Sequence, residues 1–540
     1  MHNAYETRMK RGSIPCLCTE LNLALTLHGG QSFRWTACDS GYKGIFNGCI
    51  WTLSQNKTHL SYTVQGHLKD SVNYDNILSE YFRLSISLKE HYKQWAKADT
   101  HFQKCLDENN AVRILKQDVV ENLFSFICSS NNNISRYFFK MELKCAVQTY
   151  AWGKLGMNSI VASLIKSANA DFVVDEQKTY AELWMGTHEN GPSYLKDTDI
   201  PLQKYIQENT VALGSNVVQT FCSNLPFLFK VLSINKALSI QIHPNKQKAK
   251  ELHELYPDVY KDPNHKPELA IALSPFETLC GFRPIDEIKD FLNDIPELLA
   301  VIGETNIRRL TQTDDSMISD ALQQSFHSLM TCDSNEVARQ LRSLIDRLRN
   351  TDDCYRQRVK ADLLERLHND YPGDVGCFTI YLFNYVTMLP GEAIYIGPDV
   401  PHAYLSGDCI ECMACSDNVI RAGLTPKPKD IETLIQVLSF ECKSIEKIQP
   451  SREDTFTQVF RPPVSEFAVA KITLPPGQPS YNLKPRNSAS ILLIVNGKAK
   501  VSSKIFSRGS VLFIPANNEV EIKVLCGCHP MLMFQAFSNV

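Results

Sequence analysis

The sequence predicts a mainly β protein with a block of helices inserted in it and a separate α+β segment in front. Three observations carry that expectation. In residues 238–243, Leu238, Ile240 and Ile242 alternate with Ser239, Gln241 and His243, the two-residue period of a strand. Between Arg283 and Asp374 the period changes, and Val337, Leu341, Leu344, Ile345 and Leu348 follow the three-four spacing of an amphipathic helix. Strand-like alternation resumes at Cys377, and ILLIVNGKAKVSS carries an Asn496-Gly497 pair, the signal of a β-hairpin.

Bulk properties set the frame. A chain of 540 residues is long enough for about two to four domains. The 44% hydrophobic content supplies cores, and a net charge of -3 gives no global attraction to nucleic acid. Eighteen cysteines at irregular spacings fit a reduced intracellular protein better than a disulfide scaffold. MHNAYETRMKRGS carries Arg8, Lys10 and Arg11 without the apolar run of a leader. No stretch approaches the roughly 18 apolar residues of a membrane span. A soluble, cytoplasmic protein is expected.

From the front, SFRW (32–35) and GCIWTLSQ (48–55) have strand composition. Leu115, Val119, Leu123 and Ile127 recur every four residues along one helix face, which ends in SSNNN. GGQSFRW (29–35), YFRLSISLKEHYKQW (81–95) and QDVVENLFSFICSSNNNISR (117–136) closely resemble the oxoguanine DNA glycosylase family. The resemblance covers 13–136 and implies that Asn131 and Arg136 match the surface facing the base left behind when its damaged partner is flipped out. The family's helix-hairpin-helix element, lysine nucleophile and aspartate do not follow, and without that lysine no Schiff base with the sugar can form. Residues 1–136 are therefore expected to be a fragment without a catalytic part, poorly packed and with an exposed apolar helix face. Nucleic acid is at most a minor partner.

Beyond the junction at 137–140, the run 225–243 reads as two strands, and Ser239, Gln241 and His243 project from one face of the second. NHKPELAIAL (264–273) places Glu268 at the start of an apolar run, and IYIGPDVPHAYLSGDCIECMACSDNVIRAGLTPK (394–427) places His402 in a Pro/Gly-rich turn. Gln, His, Glu and His make an N/O ligand set suited to zinc, and the turns fit the corners of a small β-barrel. With YAWGKLG (150–156) and YAELWMGTH (180–188), these motifs resemble the type I phosphomannose isomerase family from Met141 to the C-terminus.

That resemblance implies two cupin-like (jelly-roll) β-barrels. The catalytic one takes 141–283 and 375–430, a helical insertion 284–374, and a second, metal-free barrel 431–540, where His529 is the available imidazole and the role is packing. It implies one Zn²⁺ per chain on Gln241, His243, Glu268 and His402, and Arg421 beside the reacting diol. Glu411, Asp417, Lys266 and His265 match residues near the family's site, and the acid/base group among them stays open. Ser239, Lys230 and Lys427 are the expected phosphate clamps, with Tyr404 and Trp152 shaping the pocket. The implied reaction interconverts mannose 6-phosphate and fructose 6-phosphate through a cis-enediolate, by a monomer feeding glycosylation precursors or glycolysis. A DNA-binding protein with a scaffold isomerase part, or a bifunctional fusion, are the alternatives. The intact ligand set opposes the first and the missing lysine the second.

Cys409, Cys412 and Cys415 fall inside the isomerase motif and are not expected to bind metal. Cys526 and Cys528 are expected to be buried thiols. The junction has neither Gly/Ser nor Pro-rich linker composition. With Met141 at the natural start of the second family, a joined gene model or a recent fusion is expected.

Overall fold

The computed structural model describes residues 8–540 except 30, 33, 39–40, 67–70, 100–110, 132–140, 313–316, 503 and 526–528. The chain divides into two units, Met1–Phe139 and Lys140–Val540. Among the described residues no helix is long and apolar enough to cross a membrane.

The first unit holds an antiparallel sheet in the order Arg8–Pro15, His59–Gly66, Cys49–Gln55, Gly41–Phe46, Trp35–Cys38. Leu60 and Val64 alternate inward from His59–Gly66 and meet Trp51 and Leu53, all fully buried. Helices Leu23–His28 and Tyr74–Tyr81 cover that face with Leu27, Leu78 and Tyr81. Trp35 donates its indole N–H to the Tyr81 hydroxyl at 3.0 Å. Buried Arg113 donates to Glu20 at 2.8 Å and to the Arg83 and Ile86 carbonyls at 2.7 and 2.9 Å. The expectation of poor packing is therefore corrected, because the sheet and its own helices bury one another.

The exposed helix face is present, with a different start. Leu115 lies in the core on an extended segment, and Asp118 opens the helix Val119–Asn131 by accepting from the Val120 N–H at 2.9 Å. On that helix Val119, Val120, Leu123 and Phe126 are 55–82% exposed. Asn131 closes the helix. Its side chain, that of Ile127, Arg136 and the 137–140 junction lie outside the described residues.

In the second unit one long strand, His402–Ala414, serves two sheets. Its first part pairs with Phe276–Phe282, and through Gln241↔His402 with Ile240–Ile242. Phe383–Met388 extends that sheet at one edge and Ile420–Gly423 at the other. From Gly407 onward the long strand lies between Phe227–Ile234 and Glu268–Ala272. Glu182–Met185 and Ala146–Gln148 continue on one side, Ala393–Ile396 on the other. The switch falls at Gly407, where φ is 108° and a Cβ would sit 2.5 Å from the Pro275 carbonyl oxygen; glycine meets both demands.

The helical block runs from Ile285–Asp294 to Ala361–Asp370. The predicted stripe Val337, Leu341, Leu344, Ile345 and Leu348 is buried against Phe326 and Leu364, and the same core reaches Ile240, Ile242, Leu279 and Phe282 of the sheet. Strand Ile240–Ile242 is thus held from behind by the helices.

The C-terminal half has a six-stranded sheet, Ser451–Arg452, Thr457–Phe460, Ala468–Leu474, Met531–Phe537, Ser490–Asn496, Val511–Ile514. Its second sheet is Ser480–Leu483, Val520–Val524, Lys498–Val501, Lys504–Ser507. Phe460, Val469, Ile491 and Phe534 share one core with Phe227, Phe229, Val231 and Leu269 of the first half. In neither half do the described strands pair into a closed ring. The expected Asn496-Gly497 hairpin is overturned. Both edges of Ser490–Asn496 are taken, by Val511–Ile514 and Met531–Phe537. Gly497, at φ 108°, turns the chain into the other sheet instead.

Candidate metal centre and active site

The strand period places the first two groups. Ile240 and Ile242 are buried in the helical core, so Gln241 and His243 face the other way. Cross-strand pairing sets Gln241 between His402 and Arg421. Glu268 begins the neighbouring strand, with Met413 of the long strand as its pairing partner.

His243, Glu268 and His402 are all buried, and their ligand atoms lie within 4.8 Å of one another. His243 donates from Nδ1 to the Asn418 carbonyl at 2.6 Å, and His402 from Nδ1 to the Val400 carbonyl at 3.0 Å. With Nδ1 committed in this way, a ring that carries a single proton presents an unprotonated Nε2. Those atoms face the two Glu268 oxygens at 3.2 and 3.4 Å. Lone pairs facing a carboxylate repel unless a cation lies among them. His243 Nε2 is buried without a hydrogen-bond partner, which fits a metal ligand. Burial, with Lys266 nearby, pushes the His243 imidazole down to about 4, so it is neutral near pH 7. Burial opposes ionisation of Glu268, but the charge of Lys266 beside it holds its carboxyl well below the usual range.

Beside this cluster lies a cavity of about 70 Å³ lined by Glu182, Lys230, Gln241, Lys266, Glu268, His402, Tyr404 and Glu411. Lys230 sits opposite Glu411 on one neighbouring strand and Trp184 on the other. Its Nζ lies 3.0 Å from Glu411, 3.7 Å from Glu182 and 5.1 Å from the Trp184 ring centre. Burial disfavours the ammonium, but Glu182, Glu411 and Glu268 hold its pKa above the ordinary lysine value. Burial pushes the Glu411 carboxyl up, against the pull of Lys230. Lys266 Nζ lies 3.5 Å from Glu268, and the Tyr404 hydroxyl donates to Glu268 at 3.2 Å. Arg421 is half-buried with no ion pair to a described carboxylate, and burial lowers its guanidinium pKa.

The remaining sequence candidates are not among the residues that line this cavity. Ser239 accepts from the Gln241 amide at 3.2 Å. Trp152 stacks on Tyr150 with ring centres 5.7 Å apart and packs against the core that holds Tyr404. Asp417 engages His188 at 3.2 Å and Asn190 at 3.0 Å. Lys427 is exposed. His265 turns its Nε2 to Glu466 at 2.9 Å. Cys409 and Cys412 are fully buried, and burial holds both thiols well above the usual range. Two buried carboxylates beside these groups were not singled out in the sequence, Glu182 in the cavity lining and Glu466 against His265. The first had a signal, an acidic residue in a short stretch of otherwise apolar character, ELWM, which proves buried throughout.

Comparison with known proteins gives three matches along this unit. Family models of type I phosphomannose isomerase match with the catalytic domain at 140–285, the helical insertion domain at 298–383 and the C-terminal domain at 459–503. The N-terminal domain of 8-oxoguanine DNA glycosylase matches 13–123. Mannose-6-phosphate isomerase from Macaca fascicularis is 46% identical over 417 residues, spanning 73% of this chain and 97% of the relative. Mannose-6-phosphate isomerase 1 from Arabidopsis thaliana is 40% identical over 393 residues, 71% of this chain and 90% of its own. Among solved structures, a mutant phosphomannose isomerase from Salmonella typhimurium is 29% identical with a TM-score of 0.63, covering 74% of this chain and 99% of that one. A mannose 6-phosphate isomerase bound with zinc and yttrium is 30% identical with a TM-score of 0.63, again over 74% and 99%. Matched over nearly the full length of such relatives, this chain belongs to the type I phosphomannose isomerase family, the mannose-6-phosphate isomerases, with a glycosylase-like unit in front.

Proposed function

We propose that the chain interconverts mannose 6-phosphate and fructose 6-phosphate at this cavity, with one zinc ion held by Gln241, His243, Glu268 and His402. The observation that carries the reading is the pair of buried imidazoles with Nδ1 committed to main-chain carbonyls and both Nε2 atoms turned on one carboxylate. Gln241 gives its amide N–H to Ser239, which leaves the amide oxygen as the fourth ligand. One carboxylate and three neutral ligands leave a bound zinc ion net positive, and it supplies Lewis acidity toward a sugar oxygen.

The chain's own groups divide the remaining work. Arg421, a half-buried guanidinium without a carboxylate partner among the described residues, meets the negative charge that develops on the enediolate. Lys266 and Glu411 line the cavity and are the groups able to carry the proton between C2 and C1. Lys230 has its charge answered by Glu411 and Glu182; its role is to fix Glu411, and the phosphate falls to the remaining expected clamps, Lys427 and Ser239. Tyr404 orients Glu268. Asp417 holds the surrounding loops through His188 and Asn190.

In the same reading the N-terminal unit performs no base excision. Its match ends at 123, and the sequence after Arg136 offers no lysine in the glycosylase frame. The working enzyme is a cytoplasmic monomer.

The test is turnover of mannose 6-phosphate by the full-length chain, before and after a chelator and after zinc is returned. Loss and recovery support the reading. Turnover indifferent to the chelator rejects the metal assignment, and no turnover by the zinc-loaded chain rejects the activity.

A further inference from the structure

The second β half contributes a buried carboxylate beside the loop that carries Glu268. Glu466 lies in the turn between Thr457–Phe460 and Ala468–Leu474 and is 3% exposed. Chain-terminal residues fasten that turn, with the Asn539 N–H and the Ser538 hydroxyl each donating to the Ser465 carbonyl at 3.0 Å. From there Glu466 accepts from His265 Nε2 at 2.9 Å and Lys246 Nζ at 3.3 Å.

Both partners belong to segments that carry the site. His265 precedes Lys266 and Glu268 on the loop that enters strand Glu268–Ala272. Lys246 opens the helix Lys246–Leu255 just after His243. The residue just before His265 is tied as well, since the Asn264 carbonyl accepts at 2.9 Å from the side chain of Asn418, the residue whose carbonyl holds His243. At His265 itself, the side-chain anchor comes from the second half. A buried carboxylate receiving an imidazole and an ammonium fixes its donors firmly, and groups that orient ligand-bearing segments act on the metal.

We propose that Glu466 is a positioning residue for the isomerase site. Through His265 it holds the loop 264–268 so that Lys266 and Glu268 meet the cavity in register, and the second β half thereby sets metal affinity as well as packing. The proposal rests on the zinc and isomerase reading above.

The experiment uses the full-length chain and three variants, Glu466→Gln, His265→Leu and the double substitution. The readouts are zinc affinity by chelator competition, kcat and KM separately, and amide hydrogen exchange across 262–268. Glu466→Gln is expected to weaken zinc binding by about 10-fold or more, lower kcat by a similar factor with KM little changed, and speed exchange across 262–268 while exchange in the helical block stays as it was. His265→Leu should do the same, and the double variant should be no worse than either single one, as for two ends of one contact. Wild-type zinc affinity and loop exchange in the variants overturns the proposal, as do losses that simply add. If Glu466→Gln does not fold, His265→Leu alone decides between these outcomes on the same readouts. A parent chain that binds no zinc contradicts the reading underneath, whereas a working parent with unaffected variants contradicts only the role of Glu466.

Discussion

The two β halves of the isomerase unit both bury charge, and they treat it differently. In the second half Arg486 donates to both Glu453 oxygens at 2.7 Å each and to Gln535 at 3.2 Å, with its guanidinium 4.1 Å from the Phe537 ring centre. The buried charge there is answered. In the first half the Nε2 atoms of His243 and His402 face the two Glu268 oxygens, His243 Nε2 has no hydrogen-bond partner, and Arg421 has no described carboxylate partner. Buried charge alone therefore does not mark a site. What marks it is coordination that the protein leaves unmet.

The largest expected effect tests that distinction at the cluster. His402→Ala should lose zinc and lower kcat/KM on the order of 10³-fold, about 4 kcal/mol of transition-state stabilisation, read by metal analysis and steady-state kinetics. Removing the answered charge should do the reverse. Arg486→Met is expected to cost about 3 kcal/mol of folding stability in a urea titration, because the half-buried Glu453 loses both short hydrogen bonds and is left with Lys484 and Arg461 at 3.5 and 3.9 Å, with kcat per folded molecule unchanged. A direct loss of kcat there would break the comparison. Arg421→Ala should keep its zinc and lose about 10²-fold in kcat/KM, about 2.7 kcal/mol.

A pH measurement sharpens the one place where the halves meet. Burial alone would raise the Glu466 carboxyl, but hydrogen bonding to His265 and the charges of His265 and Lys246 hold it at about 2 against an ordinary 4.5. A carboxyl depressed in the folded state stabilises above its unfolded value and loses that contribution as pH falls through the folded one. Lys246, His265 and the Ser465 hydroxyl face it directly, and Tyr395 feels its charge. The stability of the parent chain should therefore fall between pH 4.5 and about 2 more steeply than that of Glu466→Gln, as followed by acid unfolding. The smallest effect belongs to the thiols. Cys412→Ala should cost about 1 kcal/mol of stability and leave zinc content unchanged.

Local period and global pairing were legible to different degrees. The alternation at 238–243 set Ser239, Gln241 and His243 on one face, because strand side chains alternate whatever the strand pairs with. Glu268 and His402 could be joined to them only through the family resemblance, since the register Gln241↔His402 is a property of the folded sheet. Asn496-Gly497 announced a turn correctly but not the sheet that receives the next strand. Glu466 had no signal, because its partner His265 lies 201 residues away and RPPVSEFAVA carries no pattern. The N-terminal unit packs better than its missing partner domain suggests, because Trp51, Leu60 and Tyr81 are buried by the unit's own helices and sheet.

The most direct test of the central claim is the zinc content and turnover of one preparation of the full-length chain, measured before chelation, after it and after zinc is restored. The account predicts one zinc per chain, turnover of mannose 6-phosphate that falls away with the metal, and recovery when it returns. Full turnover by metal-free protein would contradict it.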